Sequence, residues 1–488
     1  PTSRGAYDAG RRRILFDDLF EFQLALALRR RVWQRRPHAP VLPVTAKIDA
    51  RIRRLFSFRF TEGQDQAVRE IVADLASGRV MHRLLQAEVG AGKTAIAIYA
   101  MLATVAAGFQ TVLMAPTELL AVQHWETIDA LLAESRVARR LLTGSLTAAQ
   151  RREALDQIAH GEVQLVVGTQ AVIQSGVHFA CLGLAVIDEQ HRFGVAQRAT
   201  FAGAELMPHV LVMTATPIPR SLCLTQFGDL DLTVMRDVPP GRRPVVTSRV
   251  RNRGEQQKAW DFLRRQMKAG RQAYIVCPRV ETESPGARDA AADKVFEYLV
   301  RTELSGFRMA LVHGQMDRDE RTALMRQFRE GELDALVSTT VIEVGVDVPN
   351  ATLMVVLQAE RFGLAQLHQL RGRIARGTYQ GYCWLFSESE AADAVERLEA
   401  LETMTDGFQI AEKDFELRGP GDVLGTRQHG ELPLRVADPL RDARVLDEAH
   451  EAAFRLVDSG EFDRPEYAPL KVRVLERFGK VFDLPQSG

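Results

Sequence analysis

The stretch Leu184-Ala185-Val186-Ile187-Asp188-Glu189-Gln190-His191-Arg192-Phe193-Gly194-Val195 lies downstream of Ala87-Glu88-Val89-Gly90-Ala91-Gly92-Lys93-Thr94. In the earlier string Gly90 and Gly92 let backbone N–H groups, that of Ala91 among them, close on phosphate oxygens. Lys93 neutralises β/γ charge, and the Thr94 hydroxyl is a ligand for Mg²⁺. A strand that ends in two carboxylates supplies the rest: Asp188 reaches the metal, and Glu189 takes the proton of an attacking water. Gln190 and His191 follow where loss of a γ-phosphate can be relayed onward. Together the two strings imply a site for ATP with Mg²⁺.

Working outward, short apolar runs alternate with helical stretches at Leu84–Gln86, Thr111–Met114, Gln164–Val167, Leu184–Ile187 and Val210–Met213. Such alternation predicts a parallel sheet with helices on both faces. Asp237-Val238-Pro239-Pro240-Gly241 interrupts it as a linker does. A second set follows at Val245–Ser248, Ala273–Val276, Met309–Val312, Ala335–Ser338, Leu353–Val356 and Gly381–Phe386. The fold class is therefore α/β, with two such lobes in tandem. Ahead of them, residues 14–33 carry apolar residues at helical spacing, and the proline-containing stretch His38–Pro43 ends that element. The expected domains are a helical arm and linker over 1–50, an ATP-binding lobe over 51–236, a second lobe over 237–400, and a helical region over 401–488.

At 488 residues the chain is long enough for several domains, and 46% hydrophobic with 26% charged residues is typical of a globular protein. No apolar run reaches the roughly 18 residues that cross a bilayer, so a cytoplasmic location is expected. Cys181, Cys223, Cys277 and Cys383 have no paired spacing, which argues against a zinc knuckle or disulfide framework and predicts small buried apolar residues. Net charge is zero, yet the first 60 residues hold 14 Arg and Lys against 5 acids. That run is either a solvated helix face or an arm for nucleic-acid phosphates.

Further motifs sit at the predicted strand ends. Phe58-Arg59-Phe60-Thr61-Glu62-Gly63-Gln64 offers a glutamine able to bond adenine in a bidentate manner. Thr117, Thr169 with Gln170, and Thr214 with Thr216 place hydroxyls and amides at the carboxyl edge of the first sheet, where α/β folds bind ligands. In the second lobe Thr340-Val341-Ile342-Glu343-Val344-Gly345-Val346-Asp347 combines a backbone-contacting threonine, a glycine permitting close approach and an aspartate able to reach a ribose hydroxyl. Gln369-Leu370-Arg371-Gly372-Arg373-Ile374-Ala375-Arg376 then puts Arg373 and Arg376 three apart on one helix face. Facing the first lobe they would act as arginine fingers; alone they would be a surface ion-pair face.

This order of motifs resembles the superfamily 2 helicases, and four stretches narrow the resemblance to the RecG-type helicases. They are Asp188 to Gly194, Met213 to Arg220, Val341 to Asn350, and Leu417-Arg418-Gly419-Pro420-Gly421-Asp422. Phe408 to Asp414 and Gly425-Thr426-Arg427-Gln428 are similar to the translocation motif shared with transcription-repair coupling factors. The resemblance implies two RecA-like lobes and an ATP-dependent DNA helicase that moves on double-stranded DNA and remodels stalled forks and Holliday junctions in repair and recombination. It assigns nucleic-acid contact or coupling to Thr117, Thr169, Gln170, His191, Thr214, Thr216, Thr340, Glu343, Gln369, Arg418 and Gln428. It also implies a monomer at the nucleoid, with a single-stranded DNA-binding protein as candidate partner. Ala87 and Ala375 stand where the family usually has glycine. The N-terminal wedge domain of the family is expected to be absent, the chain being read as the motor portion. A coupling-factor motor and a non-catalytic DNA-binding scaffold are the alternatives.

Overall fold

The computed structural model describes residues 4–34, 39–173, 176–188, 207–214, 219, 223–225, 228, 230–237, 243–278, 285–314, 316–339, 348–374, 379–418, 434–439, 441–479 and 482. Its first sheet contains β1 His82–Ala87, β2 Gln110–Met114, β3 Arg139–Leu142, β4 Leu165–Gly168, β5 Leu182–Asp188, β6 His209–Thr214 and β7 Asp231–Met235. They are ordered β3-β4-β2-β5-β6-β1-β7, and the pairings are parallel. Strands β1 and β2 are buried at every residue, as strands covered on both faces must be. The covering helices include α2 Ala46–Arg53, α3 Glu62–Ala76, α4 Lys93–Ala106, α5 Glu118–Leu131 and α6 Ala148–Ala159.

The second sheet holds β8 Val246–Val250, β9 Gln272–Val276, β10 Met309–Val312, β11 Ala335–Ser338, β12 Ala351–Val356 and β13 Tyr382–Phe386 in the order β10-β11-β9-β12-β13-β8. It too is parallel. Its helices are α7 Arg253–Lys268, α8 Pro285–Arg301, α9 Arg318–Arg329 and α10 Leu364–Arg373. A helical region follows, with α11 Ala392–Thr403, α12 Gly407–Arg418, α13 Ala443–Asp458 and α14 Ala468–Phe478. Two tandem RecA-like lobes with helical ends are thus present, as the strand pattern predicts. Sequence periodicity misses β3 and β7, the edge strands of the first sheet. Neither is fully buried, and Arg139-Arg140-Leu141-Leu142 has no continuous apolar run to announce it.

Helix α1 spans Arg4–Gln34, longer at its start than expected, and it does not project as an arm. Phe22, Leu24 and Leu26 are fully buried in one cluster with Val457 of α13 and Val474 and Phe478 of α14. Leu15 and Leu19 meet Leu224 of the first lobe and Leu446 and Ala449 of α13. Within the basic run Arg11 to Arg13, Arg51 and Arg54 are exposed, as a solvated helix face has them, while other members are paired. Arg30 pairs with Asp231 at 2.6 Å and Asp458 at 3.3 Å, Arg31 pairs with Asp463 at 2.8 Å, and Arg12 pairs with Glu448. The Arg12 pair is exposed, whereas Arg30 and Arg31 are half-buried and matched by acids distant in sequence, which local patterning cannot show. Of the cysteines, Cys223, Cys277 and Cys383 are buried, burial pushing each thiol up to about 12, whereas Cys181 is only half-buried.

Candidate nucleotide site between the lobes

The order of the first sheet sets the site. Strands β1, β6 and β5 are neighbours, so the loop after β1, Thr214 at the end of β6 and Asp188 at the end of β5 share one carboxyl edge. Thr117 follows β2 and Thr169 follows β4, on the other half of that edge. The loop itself turns on Gly90 at φ 80° and Gly92 at φ 88°, a left-handed backbone that L side chains resist. Gly92 is also the N-cap of α4 and has no side chain to cap it, so the positive end of that helix lies at the loop.

Lys93 folds back within this loop, its Nζ donating to Ala87 O at 2.7 Å and Glu88 O at 2.8 Å. Gln64 closes the loop from the side. Its Nε2 donates to Ala91 O at 2.9 Å, while its Oε1 accepts the Thr61 N–H at 3.0 Å. Thr61 in turn accepts from Gln64 N, completing a capping box that fixes the start of α3. A Cβ on Gly92 would lie 2.2 Å from Gln64 Nε2, so any larger residue there would displace the Gln64 amide. Gln64 is buried and bonded on both amide atoms, and reading adenine requires it to exchange those partners.

Asp188 is nearly buried and takes a partner that sequence patterning misses. His124 Nε2 lies 2.7 Å from Asp188 Oδ2, with side-chain exposures of 10% and 13%. His124 sits on α5 two turns after Thr117, which caps that helix by accepting from Leu120 N at 3.4 Å. Ala121, His124 and Ile128 form the buried stripe of α5. A histidine on an otherwise apolar stripe is the one signal that marks it in sequence. The oxygen donors of Asp188 and Thr94 suit a hard cation that keeps most of its waters, as Mg²⁺ does. Among the described residues no cluster of three or more His, Cys, Asp or Glu forms a dedicated metal cage, so phosphate oxygens and water would complete that shell.

From the second lobe, α10 and α12 reach the phosphate loop. The Gly407 N–H donates to Glu88 Oε1, Gly372 lies against Val89, and Arg236 stacks on Phe408 at 4.9 Å. A cleft of about 380 Å³ lies here, lined by Glu88, Val89, Arg236, His368, Gly372 and Phe408 among others. Arg371, the first arginine of its motif, is buried and donates to Leu401 O and Met404 O at 2.8 Å, pinning the end of α11. Arg373 ends α10, half-buried beside Gly372, and Gln369 lies one turn earlier. Thr169 accepts the Val172 N–H at 3.0 Å, and Gln170 is exposed. Glu189, His191, Thr216, Thr340, Glu343, Asp347, Arg376 and Gln428 lie outside the described residues, as does the side chain of Arg418.

Comparison with known proteins fits this geometry. Residues 61–224 match the DEAD/DEAH box helicase family and 256–378 the helicase conserved C-terminal domain. Residues 404–481 match the ATP-dependent DNA helicase RecG, domain 3, C-terminal family. The chain is 42% identical to the ATP-dependent DNA helicase RecG of Synechocystis sp., over 99% of this chain and 58% of that protein. It is 41% identical to the RecG of Bacillus subtilis, over 98% of this chain and 70% of that one. A solved structure of RecG bound to a three-way DNA junction superposes with a TM-score of 0.74 at 38% identity, covering 92% of this chain and 58% of that chain. Saccharomyces cerevisiae Dbp5, at 17% identity and a TM-score of 0.54, shares the fold. The chain thus spans a little over half to about 70% of the relatives compared here. With two lobes, the loop and carboxylate at one sheet edge, and a matching helical region after them, this chain belongs to the family of the ATP-dependent DNA helicase RecG.

Proposed function

We propose that the protein is an ATP-driven translocase on double-stranded DNA that remodels branched DNA. The observation that carries this reading is the convergence of the phosphate loop, α10 and α12 at one seam, with Asp188 on the same sheet edge as the loop, so that a nucleotide there would touch both lobes. ATP phosphates would lie on the N–H groups of Gly90 to Thr94, with Lys93 moving from its loop carbonyls onto β/γ oxygens. Thr94 and Asp188 would hold Mg²⁺, which neutralises phosphate charge when bound. His124 holds the Asp188 carboxylate in place. Glu189 would take the proton of the attacking water, and Arg373 with Arg376 would meet the charge that develops on the transferred group. Gln64 would read adenine and Asp347 the ribose.

DNA would be gripped through its phosphates, since a motor must step over any sequence. Thr117, Thr169, Gln170, Thr214, Thr216, Thr340, Glu343 and Gln369 are the proposed contacts and relays along the strand edges, with His191, Arg418 and Gln428 in coupling. The same reading takes the protein as a monomer acting in the cytoplasm at the nucleoid, with a single-stranded DNA-binding protein as partner. The described residues contain no helix long and apolar enough to cross a membrane. The test is phosphate release with and without duplex and three-way-junction DNA, together with displacement of a triplex-forming strand from duplex. DNA-stimulated turnover with strand displacement is expected, falling steeply as salt rises. Turnover indifferent to DNA would overturn the reading.

A further inference from the structure

The first turn of α12 is capped from two sides. Within its own lobe, Asp406 Oδ1 accepts the Phe408 N–H at 2.8 Å and the Asp406 carbonyl accepts the Ile410 N–H at 3.1 Å, which makes Asp406 the N-cap and Gly407 the first helical residue. From the other lobe, the Glu88 carboxylate accepts the Gly407 N–H. A carboxylate at a helix N-terminus satisfies an orphan donor and complements the positive end of the helix dipole. Glu88 is at the same time the residue whose carbonyl accepts from Lys93 at 2.8 Å. One residue therefore joins the phosphate-binding ammonium, through its main chain, to the start of α12, through its side chain. That helix ends at Arg418, in the segment similar to the translocation motif.

We propose that Glu88 is the positioning residue through which the phosphate loop drives α12. A triphosphate in the loop draws the Lys93 ammonium away from the Glu88 carbonyl, because anionic oxygens compete better for it than neutral carbonyls do. The loop carrying Glu88 is then free to resettle, and the helix it caps follows or is released. The path is separate from the one proposed for Arg373 and Arg376, since it starts from the ground-state phosphate contacts and enters α12 at its first residue. Arg236 stacked on Phe408 and Val89 against Gly372 flank the bond and keep the two surfaces in register.

This inference rests on the translocase reading, and its test separates the two. Proline at the first position of a helix fits the required backbone and lacks only the N–H, so Gly407→Pro deletes the donor without touching the phosphate loop, while Gly407→Ala keeps it. The quantity to measure is triplex strand displaced per ATP hydrolysed. In Gly407→Pro it should fall about tenfold relative to Gly407→Ala, the ratio that corresponds to a hydrogen bond to a charged group. DNA-free turnover should be equal in the two. The loop side gives an independent measurement: Glu88→Ala should lower the same ratio, and Glu88→Gln, which retains an acceptor oxygen, should restore most of it. If Gly407→Pro melts several degrees below Gly407→Ala, the Glu88 pair alone decides. Equal ratios in Glu88→Ala and Glu88→Gln, or in a stable Gly407→Pro and Gly407→Ala, overturn the inference. Failure of wild-type protein to displace any strand while hydrolysing ATP overturns the translocase reading itself.

Discussion

The two seams that join parts of this molecule are built differently. Between the lobes, the contacts among the described residues are individually weak: a carboxylate on an N–H, a cation over a ring, a valine against a glycine. To these is added the exposed ion pair Glu126–Arg329 at 2.6 Å, a kind of contact worth about 0–1 kcal/mol. Between α1 and the C-terminal helices, leucines and phenylalanines are fully buried and surround a charged centre. There Asp18 accepts the N–H groups of Arg435, Val436 and Ala437 at 2.8, 2.9 and 3.0 Å and also bonds Arg477, while Arg477 bonds Glu21 at 2.9 Å. The described contacts of the first seam would each cost little to break. The second holds the residues just after 419–433, the stretch containing Gln428, against α1. On the translocase reading proposed above, the first would be a hinge that nucleotide biases and the second a mount for the coupling segment.

Breaking the rigid seam should have the largest effect. Asp18→Ala leaves Arg477 partly unpaired and three N–H groups without their acceptor, and removal of one partner of a buried ion pair costs about 3–5 kcal/mol. Urea unfolding should show that loss, with ATP turnover per folded molecule little changed; a stability within 1 kcal/mol of wild type, roughly the spread of a surface substitution, would mean that the centre is not structural.

At the hinge the pattern should invert. Lys93→Ala should lower ATP turnover by about 10²–10³-fold, the scale for removing one charge-stabilising group, while the unfolding midpoint stays within experimental error. Turnover above a tenth of wild type would show that other cations neutralise the phosphates.

His124 sharpens the contrast because it is buried yet belongs to the hinge side. Partners that orient a metal-binding carboxylate typically contribute about 10–100-fold, so His124→Ala should reduce turnover by that factor and raise the Mg²⁺ concentration needed for half-maximal rate. His124→Gln, which retains an N–H donor, should recover part of it. A uniform loss of stability with an unchanged Mg²⁺ dependence would make His124 an ordinary core residue.

The smallest effect is a pH dependence under the first sheet. His209 Nδ1 accepts the Met81 N–H at 3.0 Å and its Nε2–H donates to Pro40 O at 2.8 Å, an arrangement that needs a neutral ring. Burial lowers its pKa below the ordinary 6.5, against the opposing pull of the Pro40 carbonyl. The unfolded chain therefore binds the proton more readily than the folded one. This contribution is full above pH 6.5 and declines as pH falls below it. Melting temperatures from pH 7.5 to 5.5 should fall in wild type and flatten in His209→Gln; parallel curves would assign the dependence elsewhere.

What the amino-acid sequence determined by itself is what local chemistry determines. The glycines at 90 and 92 and the Lys-Thr pair are adjacent in sequence and so form a local pattern that marks a phosphate loop, and Asp188 is marked by the apolar run it ends. The buried strands are legible because parallel strands covered on both faces carry short apolar runs, as in Leu84-Leu85 of β1 and Val112 to Met114 of β2. Edge strands β3 and β7, facing solvent on one side, carry no such mark. Tertiary structure decided everything that joins distant residues. It paired Arg30 and Arg31 with Asp231, Asp458 and Asp463. It set His124 on Asp188, and it brought Glu88 to Gly407 across 319 positions of chain. Such pairings depend on the order of strands in a sheet and the docking of one lobe on another, and no local pattern of residues encodes either.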